Sequence, residues 1–206
     1  MDPRDIALQN ATPTVMVPRF GSFEPMDEPG HRFLSASDGL WLELRRAWLY
    51  LRLPIARQNR VAMPYGSLEP VIEFVFGTLS GKLVDQFLLE SREKLPNEHA
   101  AWITWNEENG NVELHTLEAI NARPDLIHFH RPALDDCEHL VLDLHSHGRL
   151  PAFFSRETDD IDDRGEVKIA GVVGNIDTPQ PTTAFRLCVL GMFLPLPGLA
   201  KGGMEI

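Results

Sequence analysis

The chain has 206 residues, a formal net charge of -11, 43% hydrophobic and 24% charged side chains, enough length to bury a sizeable core in one domain with or without an extension. The acidic balance excludes the basic footprint of nonspecific nucleic-acid binding, and two cysteines, Cys137 and Cys188, exclude a disulfide framework or an all-thiolate zinc site. No apolar run nears the ~18 residues of a membrane span, and the start MDPRDIALQNATPTV lacks the basic segment and apolar core of a signal peptide, so a reducing cytoplasm is the expected location.

Residues 1–38 are rich in Pro, Gly and acids and read as an extended arm, with TVMVPRF the one short strand candidate. From Gly39 to Ala56, Leu42, Leu44 and Arg46 alternate with Trp41, Glu43 and Arg45. That pattern predicts two strands joined near Arg46, with a helix through Leu51 the alternative. A turn-rich piece, RQNRVAMPYGSLEP, precedes the β-prone run VIEFVFGTL at 71–79, which contains the acid Glu73. KLVDQFLLES (82–91) is expected to be the next strand, AAWITW (100–105) another, and NEENGN (106–111) a tight turn. VELHTLEAINA (112–122) has Val112, His115, Leu117 and Ile120 at loose helical spacing, with Asn111 a possible cap. VKIAGVVGNI (167–176) and TAFRLCVLGMF (183–193) are apolar enough for two buried strands, and PLPGLAKGGMEI is expected to trail along the surface.

The chemistry concentrates between Leu140 and Asp163, LVLDLHSHGRLPAFFSRETDDIDD. It opens as a strand, so His145 and His147, two residues apart, point the same way and can share one metal ion. Gly148 and Pro151 break the strand, and Ser155 reads as a helix N-cap with Asp159 about one turn on. Two imidazoles and one carboxylate make a three-ligand zinc site with an open fourth position, the arrangement of catalytic rather than structural Zn2+. A helix capped by Ser155 presents Asp159 to the histidines; a later start with Thr158 as cap would present Asp160 instead. The second His-x-His, His128 and His130, has no Ser/Asp partner at similar spacing and reads as polar groups on a loop edge.

His145-x-His147, seven residues, then Ser155 and an acid resemble the motif His-x-His-Pro-x6-Ser-x2-Asp of the Mov34/MPN/JAB (JAMM) metallopeptidases. The wording LDLHSHGRLPAFFS, TDDIDD and VKIAGVVG is similar to the prokaryotic branch called PRTRC system protein A. Gly148 stands where Pro is usual, and Ser155 to Asp159 is one residue longer than the family interval, which would end on Thr158. The resemblance covers roughly residues 65–193. It implies a cytidine-deaminase-like three-layer α/β fold with a curved mixed sheet, residues 1–64 forming a partly β N-terminal extension and 65–206 the JAB/MPN-like domain.

In the family a glutamate shortly before a Gly-x-Leu-x-Gly strand is the general base. Gly77-Thr-Leu79-Ser-Gly81 fits that pattern and makes Glu73 the candidate, with Glu69 in reserve. The implied activity is hydrolysis of an amide at the C-terminal tail of a ubiquitin-like protein, with Ser155 steadying the oxyanion. An E1-like, ThiF-type protein is the implied cassette partner. Two other classes stay open: a metal-free MPN-type scaffold, and a zinc hydrolase of a small amide or a deaminase. The last is disfavoured by the absence of a Pro-Cys-x2-Cys pair.

Overall fold

The computed structural model of the protein describes residues 1–57, 60–61 and 63–197. They belong to two units, Met1–Gly77 and Thr78–Ile206, a division later in the chain than the expected boundary at 64/65. The architecture is mixed α/β, mostly strands with few helices. No helix among the described residues is long and apolar enough to cross a membrane.

The first unit opens not on an extended arm but on an exposed helix, α1 (Pro3–Ala11). Pro3 presets the first turn, and the Asp2 carboxylate accepts the Arg4 backbone N–H at 2.8 Å. β1 (Thr14–Met16) then runs parallel to β2 (Gly30–Ala36). β3 (Gly39–Arg46) and β4 (Leu49–Arg57) form the hairpin expected near Arg46, and β5 (Val71–Phe74) closes the order β1-β2-β3-β4-β5.

Pairing places Leu34 opposite Trp41, and the row Arg32, Glu43, Arg52 across three strands. Leu34, Ala36, Trp41 and Val17 form a core cluster. Glu43 is fully buried, which is tolerable only because its oxygens accept from Arg32 Nε, Tyr50 OH and the Met26 backbone N–H. Burial and the Glu43 carboxylate together push the Tyr50 phenol up to about 12.

In the second unit α2 (Gly81–Glu93) replaces the strand expected at 82–91. Its buried residues Val84, Phe87 and Ser91 recur at helical spacing, and Ser80 Oγ accepts the Lys82 N–H. The main sheet has the order β13-β12-β11-β10-β6-β7: β6 (Ala100–Asn106), β7 (Val112–Thr116), β10 (Glu138–Ser146), β11 (Val167–Gly174), β12 (Thr182–Val189) and β13 (Met192–Pro195). A separate hairpin joins β8 (Ala119–Arg123) to β9 (Leu126–Phe129).

The helix expected over 112–122 is therefore two strands. Val112, Leu114 and Thr116 alternate with Glu113 and His115, a period of two that wins once β7 pairs with β6. β11 is buried almost throughout and β10 carries no exposed residue, as befits strands in the middle of a sheet. They run parallel, so the chain crosses over between them through residues 147–166, which include α3 (Asp159–Asp163). The expected surface tail lies, from 198 onward, outside the described residues.

Because three donors converge on one buried carboxylate in the first sheet, Glu43→Ala strands Arg32 and the Tyr50 hydroxyl. It should cost about 3–5 kcal/mol of stability, and Glu43→Gln, whose one oxygen can still accept from Tyr50 and Met26, clearly less. Urea denaturation of the full chain measures both.

Candidate metal centre

The site forms where β10 ends. Ser146, the last residue of the strand, exchanges hydrogen bonds with His99: its N–H donates to the His99 carbonyl at 2.8 Å, and its Oγ accepts the His99 N–H at 2.9 Å. The His147 N–H donates to Val173 O on β11 at 2.8 Å. Gly148 then takes a positive φ of 54°, the left-handed conformation that glycine adopts without penalty. The turn that follows passes so close to β11 that a Cβ on Gly174 would lie 2.2 Å from Leu150 O.

These constraints aim both imidazoles at one point. His145 Nε2 and His147 Nε2 are 3.2 Å apart, and Asp159 Oδ1 is 3.6 Å from His145 Nε2. Donor atoms of His145, His147 and Asp159 all lie within 4.8 Å of one another. Tetrahedral zinc with ligands at 2.0–2.1 Å needs donors about 3.3 Å apart, so the set fits such an ion.

The protonation states fit as well. His147 Nδ1 faces Pro151 O at 3.3 Å, the hydrogen bond that leaves Nε2 as the lone-pair donor. Burial lowers the His147 pKa, and the neighbouring His145 adds to that, so the neutral ring is favoured. Phe153 meets the His147 ring edge-on at 4.5 Å between centroids and limits its rotation.

The acid comes from the crossover. Helix α3 has the later of the two starts, with Thr158 at the N-cap position and no side-chain cap bond. Even so, Asp159 and not Asp160 is the acid beside the histidines. The reason is local: the Ser155 N–H donates to Asp159 Oδ2 at 2.6 Å, leaving Oδ1 towards His145. Asp160 turns away to Arg186 Nη1 at 2.6 Å. Ser155 Oγ accepts the N–H groups of Glu157 and Thr158 at 3.2 and 3.3 Å, capping the turn just before the helix.

The three groups line a cavity of ≈ 550 Å³ that also takes in Ser155, His128 and Glu98. Glu98 is the residue that sequence reasoning missed. It is 8% exposed, just ahead of β6, and burial pushes its carboxyl up to about 7, with Asp159 and Asp125 adding in the same direction. Since Ala100 pairs with His145, and His99 bonds to Ser146, antiparallel register brings Glu98 level with His147. An acid two residues ahead of the apolar run Ala100–Ile103 was the available signal. Glu73, by contrast, lies in the first unit, exposed on β5 opposite Tyr50, and Glu69 is exposed as well. His128 and His130 are exposed on and just after β9.

Comparison with known proteins gives the fold a family. Residues 80–188 match the family described as prokaryotic homologs of the JAB domain. The chain belongs to that family. The JAB domain thus coincides with the second unit, while residues 2–75, the first unit, match a domain of unknown function, DUF2016. No curated protein matches the chain. Among solved structures, protein DSY2949 of Desulfitobacterium hafniense, determined in solution, is similar over 56% of this chain and 86% of that one, with 18% identity and a TM-score of 0.43.

Zinc titrated into the JAB domain of the intact chain should bind at one site. Replacing His145 and His147 together by alanine should abolish it, and replacing His128 and His130 should leave it unchanged. Competition with a chromogenic chelator reads both, and loss of zinc in the His128/His130 variant alone would place the site on β9.

Proposed function

We propose that this JAB domain is a zinc-dependent peptidase of the isopeptidase type, cutting an amide bond at the C-terminal tail of a ubiquitin-like protein. What carries the reading is one juxtaposition: donor atoms of His145, His147 and Asp159 within 4.8 Å of one another, with Glu98 in the same cavity. Family membership supports it, because the JAB family includes hydrolases of this kind. A sheet with a crossover helix at its parallel strand pair suits the cytidine-deaminase-like three-layer fold expected for the domain. An E1-like, ThiF-type partner and a cytoplasmic setting complete the reading.

Zinc bound by two imidazoles and a carboxylate supplies Lewis acidity, bringing the pKa of water towards ~7 and polarising a carbonyl. The chain's own groups do the rest. Glu98, rather than Glu73, is the general base: its carboxylate takes the proton of the attacking water and returns it to the leaving nitrogen, so no net proton is gained by the protein. Pro151 O holds His147 in the tautomer whose Nε2 is unprotonated. The Ser155 N–H keeps Asp159 Oδ2 occupied and its partner oxygen free. Ser155 Oγ accepts two backbone N–H groups and keeps its own proton to donate to the developing oxyanion. Leu150, Phe153 and Ile161, all exposed at the cavity, offer apolar contact to an extended peptide.

Glu98→Gln should keep zinc and lose about 10²–10⁴-fold in hydrolysis, whereas Glu73→Gln should keep both. The assay is release of a reporter amine from a ubiquitin-like tail by zinc-loaded protein. Full activity in Glu98→Gln removes it as the base. Failure of the unaltered protein to bind zinc, even after reconstitution, makes the metal-free scaffold the better description.

A further inference from the structure

Helix α3, which carries Asp159, is five residues long and has no side-chain cap, and its first turn holds Asp159, Asp160 and Asp162. A segment of that length does not hold helical geometry alone, because nucleation costs more than so few hydrogen bonds return. Four aspartates within five residues add mutual repulsion. Something outside the helix must fix it, and two buried cations on neighbouring strands do so.

Arg186 on β12 is 6% exposed. Its Nη1 donates to Asp160 Oδ1 at 2.6 Å and its Nη2 to Asp163 Oδ2 at 2.7 Å. The guanidinium is itself held between two rings, 3.9 Å from the centroid of Phe154 and 3.9 Å from that of Phe193. Lys168 on β11 is 2% exposed and takes the other oxygen of Asp163 at 3.0 Å, together with Asp143 at 2.7 Å and Glu166 at 2.8 Å. Each oxygen of Asp163 therefore meets a different cation. Asp163 lies one turn from Asp159 on the same helix face, and Asp160 is its immediate neighbour. Fixing those two carboxylates fixes the rotation and height of the helix, and with them the position of Asp159.

We propose that Arg186, with Lys168 as its partner, is a positioning residue for the metal centre, clamping α3 so that Asp159 stands at His145. This rests on His145, His147 and Asp159 being the ligand set. The bonds of Arg186 go to Asp160 and Asp163 and not to Asp159, so its effect on the metal is through helix placement. Groups that orient ligands in this way typically change metal affinity by 10–100-fold when removed.

The test uses the full chain carrying Arg186→Met or Arg186→Lys. Amide hydrogen exchange of the zinc-free protein reports on the clamp directly. In Arg186→Met, exchange at Asp160, Ile161 and Asp162 should quicken about tenfold or more while β10 and β11 amides stay as they were. Zinc affinity by chelator competition should fall ~10–100-fold, with Arg186→Lys between the two. Unchanged exchange overturns the proposal, and so does faster exchange with unaltered affinity. If Arg186→Met does not fold, Asp160→Asn replaces it: a severalfold loss of zinc affinity supports the clamp and none overturns it. A wild-type chain that binds no zinc refutes the ligand set instead, and the exchange measurement then decides the clamp by itself.

Discussion

Everything at the centre depends on the pairing of β10 with β6. The reciprocal hydrogen bonds of Ser146 and His99 are the last rungs of that ladder, and they lock the two strand ends in register. A slip of one residue would turn both histidines to the opposite face of the sheet and carry Glu98 away from them. On its other side β10 runs parallel to β11, and a parallel pair requires a crossover rather than a hairpin. The crossover delivers Asp159, the third residue of the cluster. Antiparallel pairing on one edge and parallel pairing on the other thus bring Glu98, His145, His147 and Asp159, from three separate parts of the chain, to one cavity.

Charge is handled differently in the two units, though by the same rule. A protein with a net charge of -11 has no shortage of carboxylates, and its buried cations are the scarcer resource. In the first sheet one buried acid, Glu43, is surrounded by donors. Around α3 the ratio is inverted, and two cations are shared among Asp143, Asp160, Asp163 and Glu166. Asp159 of α3 takes neither cation: its oxygens face the Ser155 N–H and His145. A carboxylate in that position retains a lone pair for another positive partner. Structural ion pairing and ligand availability are therefore divided residue by residue along one helical turn.

Much of the strand content was legible locally. Alternation announced the β3–β4 hairpin, and continuous apolar runs announced β6, β11 and β12. The failures have physical causes. Residues 82–91 are β-tolerant in composition, but Val84, Phe87 and Ser91 bury one helical face and Ser80 supplies the cap. Residues 112–122 carry two periodicities at once, and edge pairing with β6 selected the strand. The N-terminal stretch hides a capped helix among its prolines and acids.

His145 and His147 required only a strand's period of two, and the nearness of Ser155 to an acid of the TDDIDD run only their order in the chain; these relations are local, so the order of residues specifies them. Glu98 is 47 positions from His145 along the chain, and no local pattern relates the two; only the β6–β10 register does. Glu73 precedes the Gly77-Thr-Leu79-Ser-Gly81 run in sequence, yet it lies exposed on β5 of the other unit. The choice between Asp159 and Asp160 was likewise beyond helical periodicity, since it turns on an N–H of Ser155 and a guanidinium on β12. Sequence alone determined that one strand end presents two imidazoles to the same side. Tertiary structure decided which acids join them, because a carboxylate's role depends on the donors that long-range packing sets around it.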